Sequence, residues 1–76
     1  MRYDENIKKE FENLGKNLQK MRENKKISLS EMSDMTGIRK EYLRKIEKGI
    51  AYGVRFERHL IKIADALNID IFKLFE

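Results

Sequence analysis

The chain of 76 residues contains no cysteine and only one histidine. Without cysteine it has neither a disulfide framework nor a thiolate metal site, and one histidine cannot form a metal site alone. The sequence also lacks a nucleophile with its base, a pair of catalytic acids and a ligand cluster at the spacing that catalysis requires. We therefore expect no metal, no cofactor and no enzymatic activity.

Long hydrophobic runs are also absent from the chain. The longest uncharged stretches span only a few residues, and the N-terminal sequence MRYDENIKKE lacks the apolar core of a signal peptide. A chain of this length makes one domain with a small core, which leaves no separate effector domain to bind a small molecule. These features predict a cytoplasmic protein with no membrane partner and no small-molecule ligand.

Proline is absent, and glycine occurs only four times. No run of β-branched residues alternates over the length of a strand, whereas apolar residues recur every three or four positions. We predict an all-α fold, a compact bundle of five helices. The first runs from about Asp4 to Asn24, the second begins at about Leu29, the third runs from about Arg39 to Lys48, the fourth carries the stripe Leu60, Ile63, Ala64 and Leu67, and a last turn starts at Asp70. We also predict that Met21, Met32 and Met35 lie in the core and that His59 lies on the surface.

Positive charge is concentrated in the middle of the chain. Residues 16–62 carry a net charge of +7, whereas residues 1–15 carry −1 and residues 63–76 carry −2. Clustering of this kind suits a surface that meets phosphate on one side only. A solvated helical surface rich in lysine would have the same charge, so composition alone leaves both interpretations open.

Residues 28–49 have the pattern of two short helices joined by a tight turn. Ser28 and Glu31 form the pair of a capping box, in which each side chain satisfies a free amide at a helix start. Gly37 follows that helix, and glycine adopts positive φ without penalty, so the chain can turn sharply there. Ser33 is small enough for the second helix to pack closely.

The second helix of this segment is amphipathic. Ile38, Leu43 and Ile46 are predicted to face inward, and Gly49 to close the helix as its C-cap. The residues left facing solvent are almost all basic: Arg39, Lys40, Arg44, Lys45 and Lys48. Basic side chains gathered on one helix make DNA the first partner to consider.

This order of cap, glutamate, apolar anchors, small residue, glycine turn and apolar pair resembles the helix-turn-helix of the Cro/CI-type (lambda-repressor-like, XRE) DNA-binding family. Residues 14–28, LGKNLQKMRENKKIS, resemble the family's first helix and following turn, and residues 63–67, IADAL, resemble its fourth helix. The similarity extends from about residue 14 to the C-terminus. It implies a single helix-turn-helix DNA-binding domain over residues 1–76, with a helical N-terminal extension at residues 1–13.

The resemblance also implies roles for individual residues. The second helix of the motif would enter the major groove, with its first half reaching the base edges. The positions similar to the family's base-reading residues are Arg39, Lys40, Glu41 and Lys45. Contacts to DNA phosphate are expected from Ser28, Ser30, Arg44, Lys48, Arg55 and Arg58. Structural roles are expected for Arg22 and Glu47, as a partly buried salt bridge between the first helix and the recognition helix, and for Ser33 and Gly37 in the turn.

Two positions depart from the family pattern. Leu29 stands where the family has a phosphate-binding glutamine, and we expect it to pack instead. Arg39 stands where a small polar residue caps the recognition helix, which predicts a weaker cap. Glu41 has a second interpretation, an ion pair with Lys45 four residues later in the same helix.

Two functions are compatible with these patterns. The first is sequence-specific binding of double-stranded DNA by a small transcriptional regulator, a repressor, acting as a homodimer on half-sites roughly 34 Å apart. The terminal residues Phe72 and Phe75 belong to an apolar end that would form the dimer contact. The second is a protein-binding module, such as an antitoxin, that uses the long first helix and this apolar end to bind a protein partner.

Overall fold

The computed structural model describes residues 5–51 and 56–75, with side chains from residue 8 to 51 and from 57 to 75. This part of the chain contains four α-helices and no strand, which confirms the predicted all-α fold. The helices are α1 (Glu5–Asn24), α2 (Leu29–Thr36), α3 (Lys40–Glu47) and α4 (Phe56–Leu67), followed by a 3₁₀ helix (Ile71–Phe75). The start predicted for the first helix at Asp4 and the phosphate contact predicted at Arg55 lie outside the described residues.

The last two helices differ from the prediction. The helix α4 begins at Phe56, ahead of the apolar stripe from which it was predicted. The fifth helix is a 3₁₀ helix of five residues, not an α-helix. Asp70 explains this geometry, because its carbonyl accepts from the Lys73 amide at 2.9 Å, and its carboxylate accepts from the Phe72 amide at 3.0 Å. The first of these bonds spans three residues, as in a 3₁₀ helix, and the second holds the same turn through the side chain.

The start and end of α2 are set by its capping residues. The Ser28 hydroxyl accepts from the Glu31 amide at 3.0 Å, and the Glu31 carboxylate accepts from the Ser28 amide at 2.8 Å. At the other end Gly37 has φ 76°, and its amide donates to the Ser33 carbonyl. The capping box and the glycine turn predicted from the sequence are therefore both present.

The other α-helices end in a left-handed residue that reverses the chain. In α3 the C-cap is Lys48, one residue before the predicted Gly49, and Gly49 follows it with φ 79°. The prediction that Gly49 is the C-cap was therefore wrong by one residue. Lys48 still has right-handed helical backbone angles, and only Gly49 after it needs a positive φ. The equivalent left-handed positions after α1 and α4 are not glycines: they are Lys26, with φ 59°, and Asn68, with φ 57°.

The core is built from side chains of every helix. Its buried members are Leu14, Leu18, Met32, Ile38, Leu43, Ile46, Ala51, Leu60, Ile63, Leu67 and Leu74, with Met21 and Leu29 among the half-buried side chains packed against it. Met35 was predicted to join them and is instead 52% exposed, because Thr36 continues the buried face of α2 at helical spacing. In the described part of the chain, no helix is long and apolar enough to cross a membrane.

Candidate nucleic-acid interface

The turn between α2 and α3 is braced by two side-chain hydroxyls. Ser33 Oγ donates to the Ile38 carbonyl at 2.6 Å. Thr36 Oγ1 donates to the Met32 carbonyl at 2.8 Å and accepts from the Ile38 amide at 3.1 Å. The sequence interpretation missed Thr36, although a threonine just before a turn glycine often bonds the local backbone. Two of these three bonds tie the end of α2 to Ile38, two residues before α3 begins.

The outer face of α3 carries the residues predicted to read bases. Arg39, Lys40, Glu41 and Lys45 are all exposed, while Leu43 and Ile46 are 1% exposed and anchor the opposite face. Arg39 occupies the N-cap position without a side-chain cap, as its departure from the family pattern predicted.

The alternative interpretation of Glu41 finds no support in the structure. Glu41 and Lys45 do not form an ion pair within their helix, and the ion pair that α3 does make joins Glu47 to Arg22. Glu41 lies in the first turn of α3, where a negative charge interacts favourably with the helix dipole.

Tyr42 links α3 to α4. Its ring is half-buried and meets the His59 ring edge-on, with the ring centres 4.8 Å apart and an angle of 70° between the planes. The prediction that His59 lies on the surface is wrong, since the side chain is half-buried against this tyrosine. Its place on the α4 helix beside Leu60 brings it to the edge of the core.

The residues predicted to contact phosphate lie on several elements. Ser28 and Ser30 are exposed at the start of α2, where free amides and the helix dipole favour an anion. Leu29 between them is half-buried and packs on the core, as expected. Three more of the predicted phosphate contacts, Arg44, Lys48 and Arg58, are also exposed.

Arg22 joins the end of α1 to the end of α3. Its Nε donates to Glu47 Oε2 at 2.7 Å, and its Nη2 donates to Glu47 Oε1 at 3.2 Å, a two-bond pairing between guanidinium and carboxylate. A third bond runs from Nη1 to the Ile27 carbonyl at 2.7 Å. The hydrogen bonds to Glu47 raise the pKa of Arg22 above its ordinary value, against the opposing effect of burial. The structure therefore contains the ion pair that the resemblance implied.

Two glycines bring the backbones of α1 and α3 together. A side-chain carbon on Gly15 would overlap the Ile46 and Glu47 carbonyls, and one on Gly49 would come within 2.7 Å of the Glu12 Cα. The sequence interpretation did not identify this contact. A glycine inside a helix was the available signal, because it costs about 1 kcal/mol relative to alanine and usually has a packing reason.

The four α-helices, the braced turn and the basic face of α3 define a helix-turn-helix protein. The chain belongs to the helix-turn-helix domain family, whose model matches residues 15–76. The Cro/CI-type resemblance is confirmed, and with it the class of DNA-binding transcription regulators. The first residues of α1 precede the family match.

The structure is similar to the crystal structure of the restriction-modification controller protein C.AhdI from Aeromonas hydrophila. The two have a TM-score of 0.77 and 25% sequence identity, and the match covers 86% of this chain and 96% of that chain. No curated protein sequence matches the chain.

Proposed function

We propose that this protein is a sequence-specific regulator of transcription that reads the major groove with α3. The observation that carries the proposal is the exposed, largely basic outer face of this helix on a rigid support. Arg39 or Lys40 would bond to guanine O6 and N7, and Glu41 would accept from cytosine N4. Each such contact gives about 1 to 3 kcal/mol of discrimination between bases.

Phosphate contacts would hold α3 in register on the duplex. The start of α2 offers Ser28 and Ser30, and the cations Arg44, Lys48, Arg55 and Arg58 would flank the groove. Four cationic contacts in each of two copies predict that the logarithm of the binding constant falls with the logarithm of salt concentration at a slope of about −7.

We propose further that the protein acts as a homodimer through its C-terminal end. Phe72 is 74% exposed and Phe75 is 64% exposed, which favours burial against another surface. A two-fold dimer would present two copies of α3 to half-sites about one helical turn apart. Repression is the simplest mode of control for such a dimer, because occupancy of a promoter suffices. The similarity to a restriction-modification controller protein supports a role in control.

Selection of bound sequences from a random duplex pool, at low and at moderate salt, tests the proposal. An enriched palindrome that persists at moderate salt is the expected result, because base contacts survive where phosphate attraction weakens. Replacing Arg39 and Lys40 together by alanine should abolish the enrichment. Salt-sensitive binding without any consensus, in the folded wild-type protein, would overturn the proposal.

The exposed phenylalanines also favour a second candidate, a module that binds another protein through its apolar end. Under that function, replacement of Phe72 and Phe75 by serine abolishes partner binding, while replacement of Arg39 and Lys40 leaves it unchanged. Comparing the Arg39 and Lys40 variant with the Phe72 and Phe75 variant in the same partner-binding experiment therefore distinguishes the two functions.

A further inference from the structure

Glu47, the last residue of α3, contacts the helix α1 at two points. The Glu47 backbone carbonyl lies where a side-chain carbon on Gly15 would be, and the Glu47 carboxylate accepts hydrogen bonds from Arg22, seven residues further along α1. Positions seven apart lie on one face of a helix about two turns apart, so the two attachments fix both the position and the tilt of the end of α3. One turn before Gly15, Glu12 lies against Gly49 and adds a third contact to the same end.

Of these three contacts, the one at Gly15 leaves the least room for a side chain. A side-chain carbon at position 15 would lie 2.5 Å from the Ile46 carbonyl oxygen and closer still to the Glu47 carbonyl oxygen, whereas ordinary contact begins at 3.4 Å. Relief of the closest contact, with the Glu47 oxygen, therefore requires a movement of about 1 Å between the two helices. The obstacle is backbone on both sides, so no side chain can turn away to make room.

A movement of that size at one end of α3 rotates the helix, because its other end is held in place. The other end is tied to α2 by the hydroxyls of Ser33 and Thr36. Lys40 and Glu47 lie about 10.5 Å apart along the helix axis, so a movement of about 1 Å corresponds to a rotation of about 5°. Base-reading side chains reach several ångströms beyond the axis, where this rotation approaches the 0.5 Å range between a good and a poor hydrogen bond.

We infer that Gly15 is a positioning residue for DNA recognition: the absence of its side chain sets the tilt of α3 in the major groove. The inference rests on the proposed function and adds a determinant of specificity that touches no DNA. Phosphate contacts tolerate small rotations better than paired base contacts do, because a point charge demands less geometry than a two-bond pairing. A larger residue at position 15 therefore lowers specific affinity more than non-specific affinity.

The variant Gly15→Ala tests the inference on the full chain. We expect residual dipolar couplings of backbone amides to show α3 rotated by several degrees relative to α4. Affinity for the selected operator should fall by at least about tenfold, the loss of one or two base contacts, while affinity for a random duplex stays within about twofold. The variant Ile63→Ala is the matched control, because it removes a fully buried side chain from α4 that takes no part in the Gly15 contact. It should destabilise the fold without changing the ratio of the two affinities.

The double replacement Arg22→Met with Glu47→Leu covers the case in which Gly15→Ala does not fold. It removes one of the two attachments while keeping an apolar contact, and it too should rotate α3 and lower the ratio of specific to random-duplex affinity. An unrotated α3, or an unchanged ratio in a folded variant, would overturn the inference, as would an equal drop in the Ile63→Ala control. If the wild-type protein selects no operator, the proposed function fails, and the dipolar couplings alone decide the inference about tilt.

Discussion

Removing the carboxylate of Glu47 should cost the protein a large part of its stability. The side chains of Arg22 and Glu47 are 9% and 8% exposed, so Glu47→Ala leaves a guanidinium charge without its partner in a nearly dry site. Breaking a buried pair in this way costs about 3 to 5 kcal/mol. One guanidinium bond to the Ile27 carbonyl survives, which favours the lower end of that range, about 3 kcal/mol. The total free energy of unfolding of a domain of this size is only about 4 to 11 kcal/mol.

Urea unfolding followed by circular dichroism measures this loss, and the chain offers a matched control. Glu23 also lies near the Arg22 guanidinium, at 3.9 Å, but its side chain is 59% exposed. Glu23→Gln should therefore change the free energy of unfolding by less than about 0.5 kcal/mol. The double variant Arg22→Met with Glu47→Leu should return to within about 1 kcal/mol of the wild type, because no charge remains buried. A loss below about 1 kcal/mol for Glu47→Ala, or an equal loss for Glu23→Gln, would refute the reasoning.

Three other changes have predictable effects. Lys26→Gly should raise the free energy of unfolding by about 0.5 to 1 kcal/mol, because glycine relieves the left-handed φ of 59°, and Asn68→Gly should gain less since asparagine tolerates that conformation better; a lower melting temperature for Lys26→Gly would contradict this. Ser28→Ala should lower stability by about 1 kcal/mol through loss of the capping box, and an unchanged urea midpoint would count against that role. Replacing Phe72 and Phe75 by serine should shift sedimentation toward monomer with the helical content kept, and an unaltered sedimentation coefficient would argue against a dimer through this end.

Much of the fold could be predicted because its signals are local. The capping box at Ser28 and the glycine turn at Gly37 each depend on residues a few positions apart, and the structure contains both. The inward face of α3 follows from helical spacing alone, and Leu43 and Ile46 are buried as predicted. The ion pair of Arg22 with Glu47 spans 25 positions and was accessible only through resemblance to a family.

The features that escaped prediction depend on neighbours distant in sequence. Met35 has the spacing of a core residue, but the position of α4 and α3 against α2 puts Thr36 inside and Met35 outside. His59 was expected at the surface, yet a tyrosine seventeen positions earlier covers it. The crowding at Gly15 arises from carbonyl groups of α3, and no pattern along α1 itself reveals how close they come. The DNA-contact roles of individual side chains remain predictions that the selection experiment tests.

The contrast between the braced turn and the long side chains of α3 has a consequence for the thermodynamics of binding. The backbone of the helix pair is already ordered by its own hydroxyl bonds, so association with DNA should cost little main-chain entropy. The conformational entropy that is lost on binding comes instead from four exposed side chains, those of Arg39, Lys40, Glu41 and Lys45. Each gives up as much as roughly 1.5 to 2 kcal/mol of rotamer freedom when it is fixed against a base. Counterion release contributes favourable entropy to the binding of either duplex. Compared with random duplex, which leaves these side chains mobile, operator binding should therefore release more heat and gain less entropy at room temperature.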